Sequence, residues 1–502
     1  MPPASSVKAK LNTGPSASSF SRRGFTFSLA KNTCLREHAD GYFLISEVPI
    51  RMLRLNKSLF SLLGELQQGH ELAEICRRAG LKEGRLLSNL LSLTASGYLE
   101  LKTIAEPVDY PRVSIVIPVR DQPDEITECL QSLMDLDYPE DRYEVLVVDD
   151  GSAKDISDIV APFNIRLIRL EESRGAAAGR NIGAEKAKGD ILAFLDADCT
   201  ADRNWLREIV PFFQAEGVGG VGGFVASYHQ QSYLDRYEEA FSSLNMGRHL
   251  IFQGNTEANF YVPSCNMLVS REVFKETGGF RSGMHVGEDV DFCWRMRRLG
   301  YALLYVPAGR IAHKHRNRLG KMLQRRHEYG TSEAALYRQH RDKRKRFPTS
   351  IGAALSLLAI ITAILLWNPY PGLAIPLFFG LDLLRKSLTL KRARIAFPFP
   401  RLVSSTLRSY LSFYYFLSFH LVRYYLVLLL ALGFLVHFIW FFTGLALLLT
   451  SAVDYRVKKP RILYPVFLFF YTLEHLAYQT GVFRGCLGHK YFRTYIPVFN
   501  RA

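Results

Sequence analysis

Three segments of this 502-residue chain are continuous apolar runs of strand length that end on polar, mostly acidic residues: VSIVIPV (113–119), YEVLVVDD (143–150) and ILAFLDAD (191–198). A strand without polar alternation must be covered on both faces, which is the situation of a parallel sheet sandwiched between helices. Helical stretches separate the three runs, so the pattern predicts an α/β unit with a buried parallel sheet. Ligands of such sheets bind where the carboxyl ends of the strands emerge, and that is where the acidic residues gather.

The rest of the chain divides around this unit. Residues 1–24 form a polar tail, rich in Ser, Pro, Ala and Lys over 1–21, with no secretory apolar core. Residues 25–105 read as a small module. Strand-like runs at Phe25–Leu29 and Gly41–Ile45 precede a helix capped by Asn56, with apolar positions Leu59, Leu62, Leu63 and Leu66. Two further helices (Glu71–Ala79 and Glu83–Ser96), Gly97 as a stop and the strand YLEL complete a winged-helix-type pattern. No helix there carries a dense basic face, which argues against nucleic acid. Seven scattered cysteines without metal-like spacing predict reduced thiols in an intracellular compartment.

Beyond residue 347 the composition turns apolar. The run 351–367 has spanning length, 372–384 is short for a span, and 411–453 is apolar except for His420, Arg423 and His437; another run covers Ile462–Ala477. The intervening segments are basic: 338–346, then Arg385, Lys386, Lys391, Arg392, Arg394 and Arg401, then Arg456, Lys458, Lys459 and Arg461. The positive-inside rule puts every one of them on the cytoplasmic side, which helical hairpins or interfacial helices satisfy and single crossings do not. Much of the net charge of +16 therefore belongs to a membrane-associated helical region (348–502), with the catalytic part on the cytoplasmic face of the cell membrane.

Four chemical signals stand at the strand ends: PVRDQ (118–122), DDGS (149–152), SRGAAAGRNIG (173–183) and DAD (196–198). Two carboxylates spaced i, i+2 at a strand end suit a hard divalent cation, Mg²⁺ or Mn²⁺, that shares its shell with phosphate oxygens, together with a sugar hydroxyl. Asp149 and Asp150 suit the base N–H and ribose hydroxyls of a nucleoside. Arg174 and Arg180 offer cationic donors near phosphates, and Gly175 permits close backbone approach. Downstream, Glu288, Asp289 and Asp291 bunch three carboxylates at a helix start, where the dipole tolerates them; following a metal-like triplet, they point to a general base. His313, after the strand-like run 302–306, is a candidate to complete a metal site. For Gln324–Arg325–Arg326 the basic segment allows either contact with a diphosphate or a solvated, membrane-facing surface.

In the order SIVIPVRD, VVDDGS, RGAAAGRNIG, FLDADC, GED and YVPAGRIAH, residues 112–347 resemble the family 2 glycosyltransferases of the GT-A fold. The resemblance implies inverting transfer of a sugar from a nucleotide donor, usually a UDP-sugar. By that resemblance Pro118, Arg120, Asp121, Asp149, Asp150, Arg174, Gly175, Arg180 and Asn181 form the donor side, with Asp196 near the ribose or sugar and Glu288, Arg325 and Arg326 completing the substrate contacts. Asp198 and His313 would bind the metal, and Asp289 would be the base. Asp121 stands where Asn is common, a departure that leaves the assignment intact.

The N-terminal module, through LREHADGYFLI, LNKSLFSLLGEL and SGYLEL, resembles the PqqD-like peptide-binding domains, and the three parts together resemble the mycofactocin glycosyltransferases. That combination implies a peptide-derived acceptor, docked by edge-strand pairing or in a helix groove, and transfer of a hexose, glucose by the family's habit. A cell-envelope enzyme acting on a lipid or polysaccharide is the alternative, and a non-catalytic membrane adaptor a third; the intact carboxylate set argues against the adaptor.

Overall fold

The computed structural model describes residues 24–38, 41–47, 50–107, 109–253, 259–343, 345–392 and 398–501. The N-terminal tail and Arg394 therefore lie outside the described residues. The chain forms two compact units, one holding residues up to 47, 51–228 and 243–314, the other holding 229–242 and 315 onward.

The first unit opens with β1 (Thr26–Leu29), then β2 (Thr33–His38), β3 (Gly41–Glu47) and β4 (Ile50–Leu55). Sequence reading had expected two strands here; β2 and β4 are additional because both are solvent-facing and lack the apolar run that marks a buried strand. Strands β2, β3 and β4 form one sheet in that order, leaving β2 and β4 as edges. Helix α1 (Lys57–Gln67) starts at Asn56, whose side chain accepts the Leu59 N–H at 2.8 Å, as its spacing predicts. Helices α2 (Leu72–Ala79) and α3 (Glu83–Ala95) follow, and β5 (Leu99–Thr103) pairs antiparallel with β1.

This module shares an apolar core with the sheet that follows. Phe25 meets Phe212 with ring centroids 5.2 Å apart, and the Ser88 hydroxyl donates to the Glu216 carbonyl at 2.6 Å. Gly84 lies so close to the Gln214 carbonyl that a side chain there would collide with it.

The sheet itself is mixed. Strand β6 (Val113–Val119), buried along its whole length, is flanked in parallel by β7 (Tyr143–Asp149) and β9 (Ile191–Leu195); β8 (Arg166–Arg169) extends β7 at the edge. Helices α4 (Pro123–Met134), α5 (Ser157–Val160) and α6 (Ala176–Lys186) make the crossovers. The expected all-parallel sheet ends at β9. Beyond it, β14 (Asn266–Ser270) runs antiparallel to both β9 and β11 (Val218–Gly222), and the order closes with β15 (Ala302–Tyr305) and β13 (Ile251–Gln253). A second, small sheet joins β10 (Cys199–Ala201), β16 (Ile311–His313) and β12 (Val225–Ser227). Helix α7 (Trp205–Ile209) follows β10, α9 (Arg271–Thr277) follows β14, and α10 (Glu288–Arg298) precedes β15.

The second unit is helical. Helix α8 (Tyr233–Phe241) carries a reciprocal Ser232–Asp235 capping box. Helix α11 (Leu319–Gln339) packs on α16 (Tyr464–His489) through Gly330, Gly481 and Gly485, each too close to the opposing backbone to admit a Cβ. Residues 315–347 thus belong with the C-terminal helices, earlier than the boundary at 347 that composition suggested. Strand β17 (Arg346–Thr349) pairs with β18 (Val498–Arg501).

The apolar region resolves into α12 (Ile351–Leu365), α13 (Ala374–Arg392), α14 (Phe399–Gly433) and α15 (Phe438–Lys458). Helix α12 has 15 residues, roughly 22 Å at 1.5 Å per residue, short of the ~30 Å hydrocarbon core, so the spanning length read from 351–367 is not realised. Helices α14 and α15 are long and apolar enough to cross a membrane. They form a hairpin: the Trp440 indole donates to the Leu430 carbonyl at 2.9 Å near the turn, and Tyr415 donates to Asp454 at 2.5 Å further down. Arg456 and Lys458 close α15 at the end of the hairpin away from its exposed apolar turn at Phe434 and Leu435, and α14 continues beyond that level to Arg408 and Arg401. Helix α16 keeps Glu474, His475 and Gln479 buried midway, which removes it from the apolar spans.

Candidate active site

Strands β6, β7 and β9 are adjacent and parallel, so Asp121, Asp149–Asp150 and Asp196–Asp198 emerge at one edge of the sheet. After β6 the chain turns sharply at Asp121, which holds φ +52. Its N–H donates to the Ser152 hydroxyl at 3.0 Å and its carboxylate accepts the Ala153 N–H at 2.8 Å, so the loops after β6 and β7 brace each other. Pro118, the penultimate residue of β6, lies under α6 against Gly179 and supplies backbone shape, not a polar contact.

Asp149 is fully buried and accepts the Ser152 N–H at 2.9 Å, with the Arg169 Nε 3.7 Å away. Asp150 accepts from the Ser173 hydroxyl (2.7 Å) and from the backbone N–H groups of Arg174 (2.7 Å) and Gly175 (2.9 Å). Those two amides open α6, whose positive end attracts an anion. Sequence reading offered that glycine-rich turn to a phosphate; in the structure the Asp150 carboxylate occupies it. Gly175, at φ +86, is needed for the turn. Arg120 donates to the Ser173 hydroxyl at 2.9 Å and remains exposed, and the Arg174 side chain is likewise exposed.

Arg180 requires a correction. Only 3% exposed, it donates to Asp196 Oδ1 at 2.6 Å and to Glu288 Oε1 at 3.1 Å. It is a clamp between the end of β9 and the start of α10, not an open phosphate donor. Burial alone would lower its pKa, but Asp196 and then Glu288 more than offset that and keep it charged. Asn181 is also committed: its amide donates to the Phe280 carbonyl at 2.7 Å and accepts the Phe280 N–H at 2.8 Å, pinning the loop that leads to α10.

Of the three carboxylates at that helix start, the structure separates the roles. Asp291 is fully buried and paired with Arg295 at 2.8 Å and Arg281 at 3.5 Å, a packing role. Glu288 faces Arg180. Asp289 lies two residues after Gly287, which turns the chain at φ +84, and accepts the Val290 N–H at 2.8 Å. Burial and then the neighbouring Glu288 push its carboxyl up to about 7, against the pull of the Val290 N–H and Arg180.

His313 lies on its own strand, β16, rather than at the end of the 302–306 run, and pairs in register with Cys199 of β10. That pairing sets its Nε2 3.5 Å from Asp198 Oδ1, with both side chains partly exposed. Asp198, Cys199 and His313 present ligand atoms within 4.8 Å of one another. The buried, soft Cys199 sulfur is a poor partner for a hard cation, whereas the Asp198 oxygen suits Mg²⁺ or Mn²⁺ and the added His313 nitrogen favours Mn²⁺ of the two. The sequence does not single out Ser173, the hub linking Arg120 to Asp150, although it opens the glycine-rich segment 173–183, or Lys314, which pairs with Glu128 at 2.8 Å.

Arg326 needs a second correction. It is 4% exposed in the second unit, 2.7 Å from Glu238 and 3.4 Å from Glu474, so it is neither a solvated surface group nor a free diphosphate donor. Arg325 is part-exposed, 3.2 Å from Glu328 and stacked over Tyr329.

The glycosyl transferase family 2 model matches residues 114–278. The pre-mycofactocin glycosyltransferase of Mycobacterium tuberculosis is 32% identical over 340 residues, covering 66% of this chain and 67% of that protein. Glycosyltransferase AglE of Haloferax volcanii is 33% identical over 202 residues, covering 39% of this chain and 64% of its own length. Among solved structures, the mannosyltransferase PcManGT of Pyrobaculum calidifontis, in complex with GDP-Man and Mn²⁺, overlaps 65% of this chain and 95% of its own at 18% identity, with a TM-score of 0.38. The chain is a glycosyltransferase with a GT-A catalytic fold: it belongs to glycosyl transferase family 2, alongside the pre-mycofactocin glycosyltransferases.

Proposed function

We propose that the protein is an inverting, metal-dependent hexosyltransferase that moves a sugar, glucose by analogy with its family, from a UDP-sugar to a peptide-derived redox cofactor or its precursor. The observation that carries this reading is the place of Asp289 at the start of α10, beside the Arg180 clamp that ties Glu288 to Asp196, where burial and then Glu288 push its carboxyl up to about 7. A base poised near the working pH takes a hydroxyl proton most effectively, worth ~10²–10⁴-fold in rate. Asp289 accepts the acceptor's proton as its oxygen attacks the anomeric carbon from the face opposite the leaving diphosphate. Oxocarbenium character then builds on the sugar, as it does in glycoside hydrolysis. Asp198 and His313 would hold the divalent ion, which supplies charge stabilisation for the leaving UDP. Arg174 and Arg120 are exposed cations of this edge, the second already held by Ser173 at 2.9 Å and by Asp121 at 3.6 Å. Asp121, Asp149 and Asp150 shape the nucleoside side of the site through the braced loops after β6 and β7.

The N-terminal module (25–105) is the proposed acceptor dock, in the manner of PqqD-like domains. Its edge strand β4 exposes Met52 (41%) and Leu53 (36%) beside Arg51 and Arg54, a surface suited to pairing with an extended peptide. The α14–α15 hairpin would hold the protein at the cell membrane with its basic ends on the cytoplasmic side. That same hairpin supports a second reading, a lipid acceptor. Incubating the full chain with labelled UDP-glucose, Mn²⁺ and either peptide-derived or lipid acceptors separates the two. Label in the peptide-derived product supports the first reading, and label in lipid alone overturns it.

A further inference from the structure

The second unit contains a pocket of about 90 Å³ that the transfer reaction does not use. Its wall is formed on one side by Tyr337, Arg341, Lys343 and Lys345, and on the other by Tyr491, Arg493 and Thr494. Four cationic side chains thus surround one small cavity, and among the described residues no carboxylate lies on its wall. Behind the wall, Glu333 takes the Lys345 ammonium at 2.8 Å, and Asp342 lies 3.9 Å from the Lys343 ammonium. Arg341 and Arg493 are exposed and, among the described residues, form no ion pair.

The two sides of the pocket are fixed to each other. Lys345 Nζ donates to the Thr494 carbonyl at 2.9 Å, the Val498 N–H donates to the Lys345 carbonyl at 2.8 Å, and β17 and β18 continue that pairing. These bonds hold the backbone on either side of the pocket, and with it the positions from which the two arginines start.

We propose that this pocket binds a phosphate monoester, supplied by the headgroup of an anionic membrane lipid. A cavity of about 90 Å³ is of a size for one phosphate group. Arginine forks match phosphate oxygens in geometry and stay charged at every physiological pH. The lipid source follows from what comes next in the chain. Five residues after Arg346 begins α12, whose Ile351 (58%), Leu358 (60%) and Leu365 (62%) are exposed, so the pocket stands at the foot of an apolar helix, where headgroups meet acyl chains.

The test uses the purified full chain in a non-ionic detergent, titrated by calorimetry with dihexanoyl phosphatidic acid, dihexanoyl phosphatidylcholine and inorganic phosphate. Saturable binding of phosphatidic acid, with none of phosphatidylcholine, is expected. The double variant Arg341→Gln/Arg493→Gln should weaken it at least about tenfold, and Arg493→Lys, which keeps the charge, should retain most of it. Both arginines are exposed, so an unchanged melting temperature serves as the folding control. Equal binding of the two lipids, or a double variant within about twofold of the parent, overturns the proposal. Inorganic phosphate binding as tightly as phosphatidic acid overturns the headgroup as its source.

Discussion

The shifted carboxyl of Asp289 makes the pH dependence of turnover a quantitative test. With its pKa pushed up to about 7, Asp289 is ionised in about half of molecules at pH 7, roughly a tenth at pH 6 and about nine-tenths at pH 8. A base that must be deprotonated then gives a rate falling ~tenfold per pH unit on the acid side of 7. An ordinary aspartate would leave the rate flat from about pH 5 upward. Burial is the larger cause of the shift and Glu288 the second. Replacing Glu288 with Gln removes the second while Arg180 keeps Asp196 at 2.6 Å, so the acid limb moves to lower pH. The assay is initial UDP release at saturating donor, acceptor and Mn²⁺ from about pH 5 to about pH 8.5, each profile normalised to its plateau. A flat wild-type profile across that range, or a Glu288→Gln profile that coincides with the wild-type one, refutes the assignment.

The same shift has a stability counterpart. A carboxyl whose folded pKa lies above its unfolded value contributes stability below the unfolded pKa and loses it as pH rises through about 7. Asp289→Asn should therefore melt above the wild type at pH 8, with the difference vanishing below about pH 4. Asp198→Asn and His313→Gln should each weaken Mn²⁺ binding, read by electron paramagnetic resonance, by at least the ~10–100-fold that loss of outer-shell partners costs. Arg180→Gln strands Asp196 and Glu288 and should cost about 3 kcal/mol in denaturant unfolding, the low end of the ~3–5 kcal/mol range because Asp196 keeps 29% of its side chain exposed. Gly183→Ala drives a methyl into Val116 under the sheet and should cost ~1–3 kcal/mol without changing the pH profile.

Much of the catalytic fold was legible because its signals are local. The unbroken apolar runs mark β6, β7 and β9, and the acidic residues ending them fall on one sheet edge once those strands are parallel. What the runs could not convey is pairing direction: β14 has the same composition as a parallel strand yet inserts antiparallel between β9 and β11. The exposed strands β2 and β4 escaped because they have no buried face to pattern them. In the site, the sequence displays the residue types but not their partners. Arg180 and Arg326 look like phosphate donors in one dimension, but each lies between two carboxylates distant in sequence, 16 and 108 residues away for Arg180, and 88 and 148 for Arg326. Asp150 likewise reads as a ligand group until its three donors from Ser173, Arg174 and Gly175 are seen. In the membrane region, apolar length in 351–367 exceeds helix length because the helix ends at Leu365, ahead of Trp367 (φ +49) and Pro369.

The most direct test of the account is the turnover of Asp289→Asn set beside its donor affinity. In the purified full chain, with labelled UDP-glucose, Mn²⁺ and the peptide-derived acceptor, UDP affinity should stay within about twofold of the wild type while kcat for acceptor glycosylation falls ~10²–10⁴-fold. Wild-type turnover in Asp289→Asn, with the acceptor still glycosylated, would contradict the assignment of Asp289 as the base.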